Sequence, residues 1–279
     1  MIIWIASYPK SGNTYIRSFL SAYYYSKDGE FDFELLKNIR QFPNVEFFEN
    51  PFDGVDNASE HWIEAQKKIK ENKRIQFLKT HSCLGLYKGK PFTTPDYSLG
   101  GIYIVRDPRN VISSVKNHFS MNDEEAYRFI TNPNTSAKEI NSLDYRTWVL
   151  LSNWSNHYRS WIKSKNFRKL LIKYEDFEED KYRTFRDIVI FVNALTNRTE
   201  RINDSKLKKA IESTNFNVLK NKEKNNGFEE AAFDAKDTSK RKVFFNLGFN
   251  NKWEKLLDQE TRKKIENEFK IEMEELGYL

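Results

Sequence analysis

The stretch Ile2-Ile3-Trp4-Ile5-Ala6-Ser7-Tyr8-Pro9-Lys10-Ser11-Gly12-Asn13-Thr14-Tyr15-Ile16-Arg17 decides the fold. A short apolar run, a turn built on Pro, Ser and Gly, and apolar residues returning at helical spacing predict strand, loop and helix in that order. The first amides of a helix have no intrahelical partner and carry the positive end of its dipole, so such a loop binds anions. A nucleotide loop of the G-x-x-x-x-G-K-[ST] form, laid over Ser7 to Thr14, matches Gly12 and Thr14 and fails at Ser7 and Asn13. The lysine stands inside the loop instead, at Lys10.

Outward from this loop, the spacing predicts a helix from Asn13 to about Tyr25 with Ile16, Phe19 and Leu20 on its buried face. Residues 27–58 read as loop with one short helix near Phe33 to Ile39, and Ser59 to Glu71 as a helix. Arg74 to Leu78 reads as a strand ending in Lys79-Thr80-His81, and Gly101 to Val105 as another ending in Arg106-Asp107-Pro108, with a helix after it. Leu143 to Lys163 reads as one long helix on its stripe of Trp148, Leu151, Tyr158 and Trp161. Lys169 to Ile172 is a strand followed by Lys173-Tyr174-Glu175-Asp176, and helices are expected near 182–193 and 205–211. The polar stretch 217–242 reads as a mobile lid, and about 258–276 as a final amphipathic helix. Strands alternating with helices predict an α/β fold, one P-loop-type, three-layer domain over residues 1–279 with a central, mostly parallel β-sheet flanked by helices. Active-site residues of such sheets stand at the carboxyl ends of strands, which is where Lys79, His81 and Arg106 fall.

Composition bounds the function. At 279 residues with 39% hydrophobic content the chain is long enough for a substantial core and far from the signature of disorder. A net charge of +6 suits polyanionic ligands. Charges of both signs are interspersed, and no nucleic-acid-binding signature accompanies them, so nucleic acid is not the expected partner. The single cysteine, Cys83, excludes an internal disulfide and fits a reducing compartment. The absence of a signal pattern and of any long apolar run makes the expectation a soluble, cytoplasmic protein with no membrane partner. Cys83 reads as a small buried hydrophobe. Nothing in the sequence defines the oligomeric state.

The loop Tyr8-Pro9-Lys10-Ser11-Gly12-Asn13-Thr14 resembles the 5'-phosphosulfate loop of the cytosolic-type sulfotransferases, which use 3'-phosphoadenosine 5'-phosphosulfate (PAPS). Further segments follow in the family's order. Lys79-Thr80-His81 resembles the segment carrying the general base. Arg106 with Ser114 is similar to the pair that holds the 3'-phosphate. Lys173-Tyr174-Glu175-Asp176 and Thr214-Asn215-Phe216 resemble segments that contact the nucleotide. Gly248 and Trp253 match a weakened Arg-Lys-Gly-x-x-Gly-x-Trp signature, in which Asn246 and Leu247 stand where Arg and Lys are usual and Asn251 replaces the second glycine. Arg241 or Lys242 is then the nearest substitute charge. His118 stands one position beyond the histidine that often closes the arginine-serine motif, and it is given no role.

The resemblance implies in-line transfer of a sulfuryl group from PAPS to a hydroxyl or amine of a small-molecule or carbohydrate acceptor, releasing 3',5'-ADP, without a metal. His81 would be the base; Lys10 and Lys79 would act on the leaving phosphate and the transferring group. Lys10, Ser11, Gly12, Asn13, Thr14, Tyr15, Arg106, Ser114, Tyr174, Thr214, Phe216 and Gly248 would hold the nucleotide, with Tyr15 stacking on adenine. Two other readings stand beside this one. An ATP-dependent small-molecule kinase would reuse Lys10 and Thr14, and a nucleotide-binding relative without catalysis would account for Asn246 and Leu247.

Overall fold

The computed structural model describes residues 1–49, 54–140, 146–231, 233 and 240–279. In chain order it contains β1 (Ile2–Ser7), α1 (Asn13–Tyr25), a 3-10 turn at Phe33–Asn38, β2 (Arg40–Gln41), α2 (Val55–Glu71), β3 (Gln76–Thr80), the small hairpin of β4 (Leu86–Tyr87) and β5 (Lys90–Pro91), and β6 (Ser98–Val105). Then follow α3 (Pro108–Phe119), α4 (Asp123–Thr131), β7 (Ser136–Ile140), β8 (Arg146–Leu150), α5 (Trp154–Ile162) and β9 (Lys169–Lys173). The remainder is helical: α6 (Asp176–Glu179), α7 (Lys181–Leu195), α8 (Asp204–Ser213), α9 (Phe216–Asn226), α10 (Trp253–Leu256), α11 (Gln259–Glu268) and α12 (Lys270–Leu276).

The main sheet has the order β2-β3-β1-β6-β9, and every pairing in it is parallel. Its central strand β1 is buried along its whole length because helices cover both faces. Side chains alternate along a strand, so Ile2, Trp4, Ala6 and Tyr8 join one core with α2, α3, α5 and the C-terminal helices, while Ile3 and Ile5 join the other with α1, α7 and α8. The Trp4 indole donates to Ser98 Oγ at 2.8 Å, so its buried N–H is satisfied. In the opposite core Phe19 is fully buried and stacks on Phe185 with centroids 4.0 Å apart. The chain leaves β1 for β3 on one side and later β6 on the other. That reversal opens a crevice beyond the carboxyl ends of β1, β3 and β6.

Three expectations need correction. The helix predicted over Leu143 to Lys163 is instead the strand β8, antiparallel to β7, followed by the shorter α5. Thr147 and Val149 are buried while Trp148 and Leu150 are less so, a period of two that suits β-branched and aromatic residues in a half-buried ribbon. Ser152, with φ 57°, turns the chain, and the Asn153 side chain caps α5 by accepting from the Asn156 amide at 2.7 Å. Residues 143–145 of that expectation lie outside the described residues. The predicted lid over 217–242 begins as the helix α9, anchored by fully buried Leu219; residue 232 and residues 234–239 of it lie outside the described residues. The final helix is broken at Phe269, with φ −110° and ψ 21°, into α11 and α12, while Ile265, Phe269 and Met273, four residues apart, all stay fully buried in one core. Among the described residues no helix is long and apolar enough to cross a membrane.

Truncating a fully buried aromatic leaves a cavity that its neighbours fill only in part. Phe19→Ala is therefore expected to lower the unfolding free energy by about 3–5 kcal/mol, read from urea unfolding; a loss under about 1 kcal/mol would mean that the α1 face is not packed as described.

Candidate active site

The carboxyl ends of β1, β3, β6 and β9 deliver four segments to one cavity of about 420 Å³. The loop after β1 is held from behind. The Asn13 amide donates to the Ile5 carbonyl at 3.0 Å and to Ser7 Oγ at 3.2 Å, so this side chain, in the position of a nucleotide-loop lysine, fastens the loop to its strand. Lys10 and Gly12 have φ of 67° and 98°. A Cβ on Gly12 would stand 2.4 Å from the Tyr174 ring, so the turn requires glycine both for its dihedral and for its close approach. The amides of Ser11, Gly12, Asn13 and Thr14 make no hydrogen bond to described residues, and α1 has no acidic residue in its first turn. A ring of backbone donors and an uncompensated dipole thus face the cavity.

Beyond β6, Arg106 is buried with its guanidinium 4.2 Å from the Tyr174 ring centroid. It donates to the carbonyls of Lys10 and Gly248, each at 3.2 Å, while its Nε has no partner. Ser114, two turns along α3, accepts from the Asn251 amide at 2.9 Å. Gly248, with φ 56°, lies so close on Phe216 that a Cβ would meet its ring at 2.6 Å. Tyr15 is almost enclosed by the edges of Phe177, Phe185 and Phe249, and Tyr174 stacks on Phe249. Lys10, Gly12, Asn13, Thr14, Tyr15, Arg106, Ser114, Tyr174, Phe216 and Gly248 all line the cavity, as do Lys79 and His81. Ser11 lies beneath the loop with its hydroxyl buried and unpartnered. Thr214 is not brought to the cavity: its fully buried hydroxyl donates to the Ala210 carbonyl at 2.6 Å at the end of α8. Arg241 is directed at the carbonyls of Glu229 and Ala231 and is off the cavity wall. Lys242 is on the wall, where it donates to the carbonyls of Asn117 and His118 and to Ser120 Oγ at the end of α3.

At the end of β3, His81 Nδ1 lies 2.7 Å from the Ser7 carbonyl. A carbonyl only accepts, so the proton is on Nδ1 and Nε2 is the basic nitrogen. Burial, and after it the charge of Lys79, holds the imidazole pKa well below its ordinary value, so the ring is neutral at physiological pH. His157 supports this strand end by donating Nε2–H to the His81 carbonyl at 3.0 Å and accepting the Tyr103 hydroxyl proton at 2.8 Å; burial pushes its own pKa down to about 4. Cys83 Sγ donates to the Leu151 carbonyl at 2.8 Å, and burial raises its pKa to about 12, so it is inert.

Two cavity residues, Glu230 and His118, and the buried Arg17 beside them escaped the sequence. Glu230 takes a bidentate pair of hydrogen bonds from Arg17 at 2.8 and 2.9 Å and lies 3.9 Å from Lys79 Nζ. Arg17, only 3% exposed, also donates to the Ile39 carbonyl at 2.8 Å. No sequence signal pointed to this pair, whose members stand 213 residues apart. His118, assigned no role above, lies 3.5 Å from Lys10 Nζ, and burial followed by the charges of Lys10 and Lys242 pushes its pKa down to about 3.

Comparison with known proteins agrees with this geometry. The profile of the family described as "Sulfotransferase domain" matches residues 2–277. The chain belongs to the sulfotransferase domain family. It is similar to Sulfotransferase 1E1 of Rattus norvegicus, with 26% identity over 97% of this chain and 83% of that protein. Sulfotransferase 1A1 of Canis lupus familiaris is 23% identical over 98% of this chain and 83% of its own length. Among solved structures, mouse sulfotransferase SULT7A1 complexed with PAP superposes with TM-score 0.56 at 21% identity, covering 98% of this chain and 84% of that one. Retinol dehydratase in complex with androsterone and inactive cofactor PAP does so with TM-score 0.57 at 16% identity over 98% and 80%. Sulfuryl transfer from PAPS is therefore this enzyme's reaction class. The cavity fits such a donor, because four unpaired loop amides and the buried, unpartnered Arg106 Nε, Ser113 Oγ and Asn251 Oδ1 are groups that an anionic nucleotide would satisfy.

Desolvation is the largest single influence on Glu230 and raises its pKa, but Arg17 and Lys79 together outweigh it and the net direction is down. A carboxylate depressed in the folded state contributes stability that is full above its unfolded pKa of about 4.3 and is lost as pH falls through the folded value. Glu230→Gln is expected to melt at a lower temperature than the parent at pH 7, with the gap narrowing below about pH 4. A gap that stays constant from pH 8 to pH 3 in thermal melts would contradict the ion pair.

Proposed function

We propose that the enzyme sulfates a hydroxyl of a small acceptor with His81 Nε2 as general base and the loop after β1 as the receiver of leaving-group charge. The observation that carries this reading is the 2.7 Å contact between His81 Nδ1 and the Ser7 carbonyl, which puts a proton on Nδ1 and leaves Nε2 as the basic nitrogen of the neutral ring. The donor supplies an activated sulfuryl group. As the acceptor oxygen bonds to sulfur, the sulfur–oxygen bond to the donor phosphate breaks, its electron pair leaves with 3',5'-ADP, and the acceptor proton passes to His81.

The chain's own residues supply the rest. The amides of Ser11 to Thr14, with the Thr14 hydroxyl and Lys10, are preorganised donors where negative charge grows on the leaving phosphate. His118, neutral and 3.5 Å from Lys10 Nζ, offers that ammonium an acceptor without competing charge. Lys79, buried near Glu230, steadies the transferring oxygens. Arg106 and Ser114 receive the 3'-phosphate, for which the Arg106 fork is suited. Tyr174 and Phe216 flank the nucleotide beside Gly12 and Gly248. Asn251, where the family pattern has glycine, donates its amide to Ser114 and to the Asn110 carbonyl and so positions Ser114. For the kinase reading, Asn13 offers no cation, because its amide is committed to β1.

His81→Ala is expected to lower kcat by roughly 10²–10⁴-fold while 3',5'-ADP binding persists; unimpaired turnover would contradict the assignment. Because the His81 pKa is depressed, the acid limb of kcat/KM in the parent enzyme is expected well below pH 6.5. Arg106→Ala is expected to weaken 3',5'-ADP far more than 5'-AMP in calorimetric titration, and equal weakening of the two would refute a 3'-phosphate contact.

A further inference from the structure

Gln41 lies on β2, next to the catalytic strand, and is paired in register with Lys79. Registered residues of parallel strands send their side chains to the same face, so Gln41 and Lys79 emerge side by side, one residue pair before the strand end that carries His81. Gln41 lines the cavity, is only 3% exposed, and neither its Nε2 nor its Oε1 has a hydrogen-bond partner among the described residues. The neighbouring polar group on this wall, the Thr147 hydroxyl, is already committed to the Pro43 carbonyl, and Val149 and Ala137 beside it are apolar. Gln41 therefore stands as an unpaired donor and an unpaired acceptor within an otherwise satisfied or apolar surface.

A buried amide with neither group paired costs free energy, and an apolar acceptor seated against it would make that cost permanent. A ligand that presents a hydroxyl, which both donates and accepts, would remove it. The nucleophilic oxygen must lie at His81 and the second polar group at Gln41, on the adjacent strand. We infer that Gln41 is an acceptor-recognition residue and that the acceptor carries a second hydroxyl next to the one that is sulfated, as a saccharide does, rather than the lone hydroxyl of a simple phenol or sterol. The apolar side of this wall, at Val149, Ala137 and Phe119, faces the ring of such an acceptor while Gln41 reads its edge. A site built to hydrogen-bond a substrate hydroxyl rejects the analogue lacking it far more strongly than an apolar pocket rejects an extra one. The inference rests on the sulfuryl-transfer reading above.

The test compares kcat/KM for sulfuryl transfer from PAPS to methyl pyranosides bearing vicinal hydroxyls, to their monodeoxy counterparts and to phenol, in the parent enzyme and in Gln41→Leu. The parent is expected to favour a diol over its monodeoxy partner by at least about 100-fold, and Gln41→Leu to shrink that ratio to within about fivefold without weakening 3',5'-ADP binding. Because Leu removes an unpaired buried amide at similar volume, the variant should melt at the same temperature or higher. Gln41→Met provides the same comparison should the Leu variant fold poorly. A ratio unchanged by both substitutions, a parent preference for phenol, or no transfer to any pyranoside by a protein that binds 3',5'-ADP would overturn this inference alone. Failure of the parent to bind 3',5'-ADP would instead overturn the reading on which it rests.

Discussion

Four backbone amides at the start of α1 that no described residue satisfies are the constraint around which the molecule is arranged. They exist because β1 ends in a turn that only glycine can complete at position 12, with Tyr174 from the far side of the sheet closing over it. Asn13 anchors that turn to β1, and Arg106 ties it to Gly248 through the Lys10 and Gly248 carbonyls. Loop, strand ends and the segment around Gly248 are thereby one unit, and its shape follows from parallel strands meeting at a reversal of sheet order.

Positive charge gathers around this cavity as well. Desolvation, helped by Lys79 and Arg17 at His81 and by Lys10, Lys242 and Lys79 at His118, keeps both histidines neutral. A neutral imidazole can accept a proton, which an imidazolium cannot. Glu230 supplies the balancing carboxylate, and by holding Arg17 and approaching Lys79 it connects the segment after α9 to the catalytic strand. The same cavity thus presents backbone donors at the loop and a neutral imidazole at His81, two features that a uniformly basic surface would not reconcile.

Much of this was legible in the sequence where local rules act. The strand-loop-helix at residues 2–25, the strand ends at Lys79 to His81 and at Arg106, and the helices α3, α7 and α8 follow from periodicity and turn chemistry. The resemblance to sulfotransferases gathered Lys10, His81, Arg106, Ser114 and Tyr174 before any contact was known, and all five line one cavity. What escaped depends on long-range packing. Trp148 fits a helical stripe as well as a strand, and the pairing of β7 with β8 decided between them. The break at Phe269 carries no Gly or Pro signal. Glu230 sat in a polar stretch with no distinguishing neighbour, and Gln41 was one residue of an irregular segment until β2 paired with β3.

The central claim is that the cavity is built for a nucleotide with a 3'-phosphate and a 5'-phosphate. The most direct measurement is calorimetric titration of the protein with 3',5'-ADP in the presence of EDTA, beside a titration with Mg-ATP. The account predicts micromolar or tighter binding of 3',5'-ADP under those conditions and much weaker binding of Mg-ATP. Preference for Mg-ATP, or no binding of 3',5'-ADP, would contradict it.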